Sequence, residues 1–350
     1  MLTAIIVEAV RSAIARQIPF VAYVKPHCDE VCFFSDPSDA MPLLSDRCFI
    51  VNSWCGCPAD EFAIAERADA AMTIRLCAGL SSQACTCPQP WTEPTARQDY
   101  GRCLDFVIEH LQDHGGKVVI SRTITGDATD VEWVVVADRY FGLHPEAFRY
   151  IYFTPRHGFW LGASPELLLS VDEGKFRTMA LAGTREVCEK DKPWSGKNIA
   201  EQAVVRNYIV DRLYDLGLDP QCGPTVTVET GNIQHLCTCI SGDAETCTSV
   251  EILRSLNPTP ALAGYPLSSA LEQIVRTEKH PRRCYGGYVA VAGGKSFSAY
   301  VNLRCVNFDD MRWCMYVGGG IMPGSDIDDE WHETEAKSLI LKKLIEDSLK

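Results

Sequence analysis

The stretch "EWHETEAK" (330–337) packs three acids, a histidine and a lysine into eight positions near the end of the chain. On a helix each residue turns by about 100°, so Glu330, Glu333 and Lys337 share one face while His332 and Glu335 point elsewhere. Two carboxylates and an ammonium on one stripe suit a metal ion held together with an anionic ligand. A charge run of this kind is more often a solvated helix face. Which of the two it is depends on what the rest of the fold brings to it.

Other positions offer matching chemistry. Glu201, in "KNIAEQ" (197–202), stands on a helical stretch with little nearby to neutralise it. Glu166 is the one acid in the apolar run "GASPELLLS". At a strand edge it would point to solvent; buried, its neutral form would be favoured and it could donate a proton near neutral pH. Lys117 opens the apolar strand "KVVISR". It reads either as a snorkelling surface lysine or, if desolvated, as a neutral amine able to act as a base. The glycines of "YVGGGIMPGSD" are not a phosphate loop, because no G-K-[ST] follows and the G-x-G-x-x-G spacing is absent. Gly318, Gly319 and Gly320 could instead let backbone N–H groups approach an anion, and Gly183 and Thr184 of "ALAGTR" could form a second such place.

These groups must be positioned by a chain of 350 residues, enough for one large domain or two smaller ones. The net charge of −13 argues against nucleic acid or an anionic membrane as partner. An acidic protein that takes an anionic substrate needs a local arginine, backbone N–H groups or a bound cation. The N-terminal "MLTAIIVEAVRSAIARQIPF" reads as a packed helix rather than a signal peptide, and no run is long enough to span a membrane. A cytoplasmic protein is expected. Its seventeen cysteines include C-x-C pairs at 55/57, 85/87 and 237/239, not the C-x-x-C spacing of structural zinc sites. They are expected to be buried thiols acting as small hydrophobes.

Short apolar runs before residue 90 read as strands and turns, and the proline-rich "CTCPQPWTEPT" (85–95) marks an internal boundary. A helix is expected to start with Thr95 and Gln98 as a capping box and to close at "HGG" (114–116). Strands are expected at "KVVISRTI", "VEWVVVADRYF", "YIYFTP", "FWLGASPELLLSV" and "KFRTMALAG", then a helix over 197–216. Further strands are expected at "TVTVE", "HLCTCISG", "YGGYVAVAG", "FSAYVNLRCV" and "WCMYVGGGI", with a long helix after Ser325. Strand clusters with isolated helices predict an α+β fold, its helices packed against large mixed or antiparallel sheets.

In chain order "KVVISR", "GASPELLLS", "ALAGT", "IQHL", "NPTPALAGYP", "YGGYVA", "VNLRC", "GGGI" and "DEWHETEAK" resemble the motifs of the chorismate-utilising enzymes. That family includes isochorismate synthases, salicylate synthases, anthranilate synthase component I and aminodeoxychorismate synthase. The resemblance covers residues 95–350 and leaves 1–94 as the variable N-terminal part of the same fold. It implies Mg²⁺ held by Glu201, Glu330 and Glu333, bridging the protein to the ring carboxylate of chorismate. It implies N–H donors from Gly183, Thr184 and Gly318–Gly320, and carboxylate partners in Arg304 and Lys337. Tyr285, Asn257, Ala261 and Leu262 are the further substrate-binding positions it implies.

Lys117 at the head of "KVVISR" and the run "PTPALAGYP" resemble the water-using branch rather than the amine-forming one. The implied activity is an isochorismate synthase, serving menaquinone or siderophore biosynthesis. Lys117 would deprotonate water and Glu166 would protonate the departing hydroxyl. A salicylate synthase, which also eliminates pyruvate, and a non-catalytic chorismate-binding member are the alternatives. The chain has Asn257, Gln202 and Asn198 where the family often has histidine, histidine and an acid.

Overall fold

A computed structural model describes residues 2–35, 47–54, 62–65 and 92–349. In chain order the strands begin with β1 (Phe20–Val24), β2 (Cys32–Ser35), β3 (Cys48–Asn52), β4 (Phe62–Ala65) and β5 (Lys117–Asp127). They continue with β6 (Phe148–Thr154), β7 (Gly158–Ser164), β8 (Leu167–Asp172), β9 (Lys175–Glu186), β10 (Gln221–Thr230) and β11 (Ile233–Asp243). The last are β12 (Gly264–Tyr265), β13 (Tyr288–Gly293), β14 (Ser296–Val301), β15 (Cys305–Phe308) and β16 (Arg312–Ile321). The helices are α1 (Ala4–Arg16), α2 (Arg97–His114), α3 (Trp133–Leu143), α4 (Gly196–Asp215), α5 (Ser249–Leu256), α6 (Leu267–Thr277) and α7 (Ile327–Ser348).

The strands form two eight-stranded sheets, β12-β5-β16-β15-β7-β6-β1-β2 and β10-β11-β9-β8-β14-β13-β3-β4. Every pairing among the described residues is antiparallel, so the expected α+β class holds and its sheets are antiparallel rather than mixed. The segment before residue 95 supplies β1 and β2 to one sheet and β3 and β4 to the other.

The apolar patterning explains the layering. In "FVAYV" Val21 and Tyr23 face an aromatic core shared with Phe49, Tyr150, Trp160 and Tyr300 between the sheets. Phe20, Ala22 and Val24 turn the other way, into a core shared with residues of α1, α3 and α7. A strand covered on both faces needs no polar alternation. Helices α4 and α5 cover the outside of the second sheet, while α2 and α6 pack on β5. Among the described residues no helix is long and apolar enough to cross a membrane.

Two expectations fail locally. "VEWVVVADRYF" is helix α3, not a strand. Its valines favour β structure, but Trp133, Val134, Ala137, Tyr140 and Phe141 bury one helical face against the first sheet, and packing overrides propensity. The capping box at Thr95 does not form. Helix α2 starts one residue later from Ala96 without a side-chain cap, and the Thr95 hydroxyl accepts from the Thr123 backbone N–H at 3.1 Å.

Two predicted single strands are also each broken. "FWLGASPELLLSV" divides at Pro165–Glu166 into β7 and β8, and "FSAYVNLRCV" divides at 302–304 into β14 and β15, each time passing between the sheets. The cysteine expectation holds only in part. Cys48, Cys237, Cys284, Cys305 and Cys314 are buried, while Cys28, Cys188, Cys222 and Cys239 are exposed. The pairs at 55/57 and 85/87, and most of the boundary at 85–95, lie outside the described residues.

Candidate active site

The two crossings between sheets lie side by side and build one end of a cavity. The Val301 N–H donates to the Glu166 carbonyl at 3.0 Å, tying the β7–β8 crossing to the end of β14. Pro165 ends the ladder of β7 and turns Glu166 inward, where its side chain is 3% exposed. The cavity has an empty volume of about 710 Å³, part of it open to solvent, and its lining includes Lys117, Glu166, Glu201 and Gly318–Gly320. Burial pushes the Glu166 carboxyl up to about 8, against the pull of Lys117 and Lys337. It is held as an acid at neutral pH.

Lys117, 1% exposed, opens β5 and forms an ion pair with Glu201 of α4 at 2.9 Å. The glycine run in β16 makes this possible. A Cβ at Gly320 would stand 2.1 Å from Glu201 Oε1 and 2.6 Å from Lys117 Cε. One at Gly319 would stand 2.8 Å from Glu330 Oε2 and 3.6 Å from Glu333 Oε1. Successive residues of a strand face opposite ways, so Gly320 clears room for Glu201 and Gly319 for the acids of α7. Beyond lining the cavity, these glycines leave space for carboxylates.

Helix α7 delivers Glu330, Glu333 and Lys337 on one face, as the spacing predicts. Lys337 Nζ donates to Glu333 Oε1 at 2.7 Å and to the Gly318 carbonyl at 2.9 Å. Glu330 Oε1 accepts from Ser325 Oγ at 2.7 Å and pairs with Lys197 Nζ. The helix is clamped from the far side by Arg122 of β5. Its guanidinium bonds Thr334 at 2.8 Å, pairs with Glu335, and lies 3.9 Å from the centre of the Trp331 ring. Burial and neighbouring Glu333 push Glu330 up to about 7, against Lys197 and Ser325. Burial also raises Glu333, but Lys337 and Lys197 outweigh it and leave its carboxyl below the usual range.

The lining also presents a cation and donors. Arg304, whose φ of 48° follows from the tight crossing into β15, donates to His235 Nε2 at 3.2 Å. His235 Nδ1 faces the Gly183 carbonyl at 3.1 Å. Burial, with Arg304 and Lys337 nearby, pushes this imidazole down to about 3, so it stays neutral, donating from Nδ1 and accepting at Nε2. Gly183, at φ 74°, is a bulge in β9 and has no partner across the ladder to β11. A Cβ there would press on the Asn198 carbonyl at 3.0 Å. Thr184, Tyr285, Ala261 and Leu262 also line the cavity.

The structure thus brings Lys117, Glu166, Gly183, Thr184, Glu201, Ala261, Leu262, Tyr285, Arg304, Gly318–Gly320 and Lys337 to one cavity, with Glu330 and Glu333 against its glycine wall. Asn257 is the exception. It caps the end of α5, ahead of a cis bond to Pro258, and is not part of the lining; the chain reaches the cavity only four residues later. Sequence reading assigned no role to Lys197, Ser325, His235 or the buried Tyr316. His235 stood inside the quoted "IQHL" and Lys197 inside "KNIAEQ", but only the fold shows what each faces.

The donor set has the chemistry of a hard-cation site: three carboxylates and no thiolate. Glu330 Oε2 is a buried oxygen with no donor, an acceptor awaiting a partner. Among the described residues no three ligand side chains are gathered tightly enough to hold a metal as they stand. Each acid is instead turned to its own lysine: Glu201 to Lys117, Glu330 to Lys197 and Glu333 to Lys337. The residues fit a divalent cation provided it replaces an ammonium.

Fold and site define a two-sheet α+β protein with a cavity charged for a small anionic ligand. A family model described as "Chorismate binding enzyme" matches residues 55–346. The isochorismate synthase EntC of Escherichia coli (strain K12) is 30% identical over 237 residues, 63% of this chain and 60% of that protein. MenF of the same strain, also an isochorismate synthase, is 30% identical over 247 residues, 66% of this chain and 56% of its own length. The chain therefore spans less than two thirds of these relatives. Among solved structures, the menaquinone-specific isochorismate synthase MenF from Escherichia coli superposes with a TM-score of 0.76 at 20% identity, over 95% of this chain and 90% of that one. Anthranilate synthase component I from Streptococcus pneumoniae superposes with a TM-score of 0.68 at 14% identity, over 92% and 90%. The chain belongs to the chorismate-binding enzyme family.

Proposed function

We propose that this protein is an isochorismate synthase, converting chorismate to isochorismate in the cytosol with Mg²⁺. One observation carries the reading: Lys117 and Glu166, both nearly fully buried, open onto a single cavity lined by Arg304 and Lys337. A dianionic substrate finds its counter-charges in those two cations. Once Lys117 has left Glu201 and given its ammonium proton to solvent, the amine takes a proton from water as the oxygen bonds to ring carbon C2. The ring double bonds shift, the C4–oxygen bond breaks, and Glu166 gives its proton to the departing hydroxide. One water enters and one leaves, so the step is an isomerisation with no redox partner.

Glu201, Glu330 and Glu333 would hold Mg²⁺, which when bound supplies positive charge and fixes the ring carboxylate. Thr184 and Gly183, which line the same cavity, would help orient the ring. Incubating the purified protein with chorismate and Mg²⁺, and separating the products by chromatography, tests the reading. Isochorismate is expected. Salicylate would show that pyruvate is also eliminated, and unchanged chorismate would leave a binding-only member of the family.

A further inference from the structure

Lys197 has no part in the reaction above, yet its ammonium holds one of the two acids of α7 that face Gly319. It enters at the start of α4 and pairs with Glu330 Oε1, beside the Ser325 hydroxyl. Glu330 is 1% exposed and its other oxygen has no donor, whereas the Lys197 side chain is 28% exposed. The lysine lies in a second hollow, of about 840 Å³ with part of it open to solvent, which shares Thr184 with the first cavity. Glu186, Glu189 and Asp329 line this mouth. Arg185 also borders it, but its guanidinium is bound to Gln234 and to the carbonyls of Lys190 and Lys192, and lies 4.2 Å from the centre of the Trp194 ring.

A mouth rich in carboxylates attracts cations and repels a dianion. The buried acids behind it need a positive partner, since an unpaired buried carboxylate is costly. We propose that Lys197 is a built-in stand-in for the divalent cation: its ammonium neutralises Glu330 in the free protein, and a divalent ion arriving through the acidic mouth displaces it. The exchange strands no charge. Two positive charges replace one between Glu330 and Glu333, and the released ammonium has Glu186 and Asp329 in the same hollow, Glu189 being paired with Lys192 at 2.8 Å. The dication and the dianion then reach the site from different sides. Affinity for the metal in the free protein is lowered, because binding must first break an ion pair.

This inference rests on the reading that Glu330 and Glu333 bind the cation, and the test separates the two. Mg²⁺ binding to the full chain, without chorismate, is measured calorimetrically at mildly alkaline pH for wild type, Lys197→Met and Lys197→Arg. The Met variant is expected to bind at least about tenfold tighter than wild type, as removal of a competing ion-pair partner allows, and the Arg variant to stay near wild type. Equal or weaker binding by the Met variant overturns the stand-in while leaving the metal site in place. No binding by any of the three overturns both. A second measurement uses wild type alone: Mg²⁺ should speed modification of Lys197 by an amine-reactive reagent, read by mass spectrometry, and an unchanged rate overturns the proposal.

Discussion

Burial, more than any sequence neighbour, sets the chemistry of Glu166. With its carboxyl pushed up to about 8 by burial, the folded protein holds a proton there that the unfolded chain releases near the ordinary value of 4.5. Below 4.5 both states are protonated and Glu166 costs nothing; from there to about 8 the unfolded carboxyl ionises first and folding is progressively penalised. Activity has the same upper edge, because an ionised Glu166 has no proton to give. We expect kcat to fall as pH rises through about 8, and a steady-state profile from neutral to alkaline pH checks it. Glu166→Gln should separate the two effects: kcat drops by about 10²–10⁴-fold while the melting temperature near neutral pH holds or rises. The acid was visible in "GASPELLLS", but whether it faced solvent or cavity was open until the break at Pro165 was seen.

At the scale of elements the glycine run has the most to tell. The run "GGG" suggested N–H donors; in the fold its missing side chains also make room for carboxylates. Gly320→Ala should leave a folded protein, since alanine suits a strand at least as well, but its methyl would collide with Glu201 and Lys117. Displacing a reacting group by about an ångström costs on the order of 10²-fold in rate, so activity should fall by about that factor, with a modest drop in melting temperature from crowding the buried ion pair. Gly324→Ala, where an added Cβ meets nothing within 4 Å, is the control and should match wild type. Periodicity located α4 and α7 because a helix that covers a core must repeat its apolar face. It failed at α3, where a valine-rich run suits either structure, and at the broken strands, where an unbroken apolar string hides a change of sheet.

At the scale of the whole molecule, the N-terminal strands do not form a detachable unit. Strand β1 lies between β2 and β6, and β3 between β4 and β13. Their removal would uncover the ladders of β6 and β13 and strip Phe20, Val21, Ala22, Val24, Phe49 and Val51, all at 0% exposure, from the cores. A chain beginning at residue 92 is therefore expected to be insoluble or to lack a cooperative thermal transition by circular dichroism. A sharp transition in that fragment would contradict it.

The amino-acid sequence by itself determined the family motifs, most of the strands and long helices, and the acids and lysines available for chemistry, because these follow from local spacing and residue type. Tertiary structure alone decided which lysine faces which acid, that Asn257 stays outside the cavity while His235 and Lys197 come near it, and that Glu166 is an acid rather than a surface carboxylate. Those outcomes depend on contacts between residues far apart in the chain and on burial, neither of which a local pattern encodes.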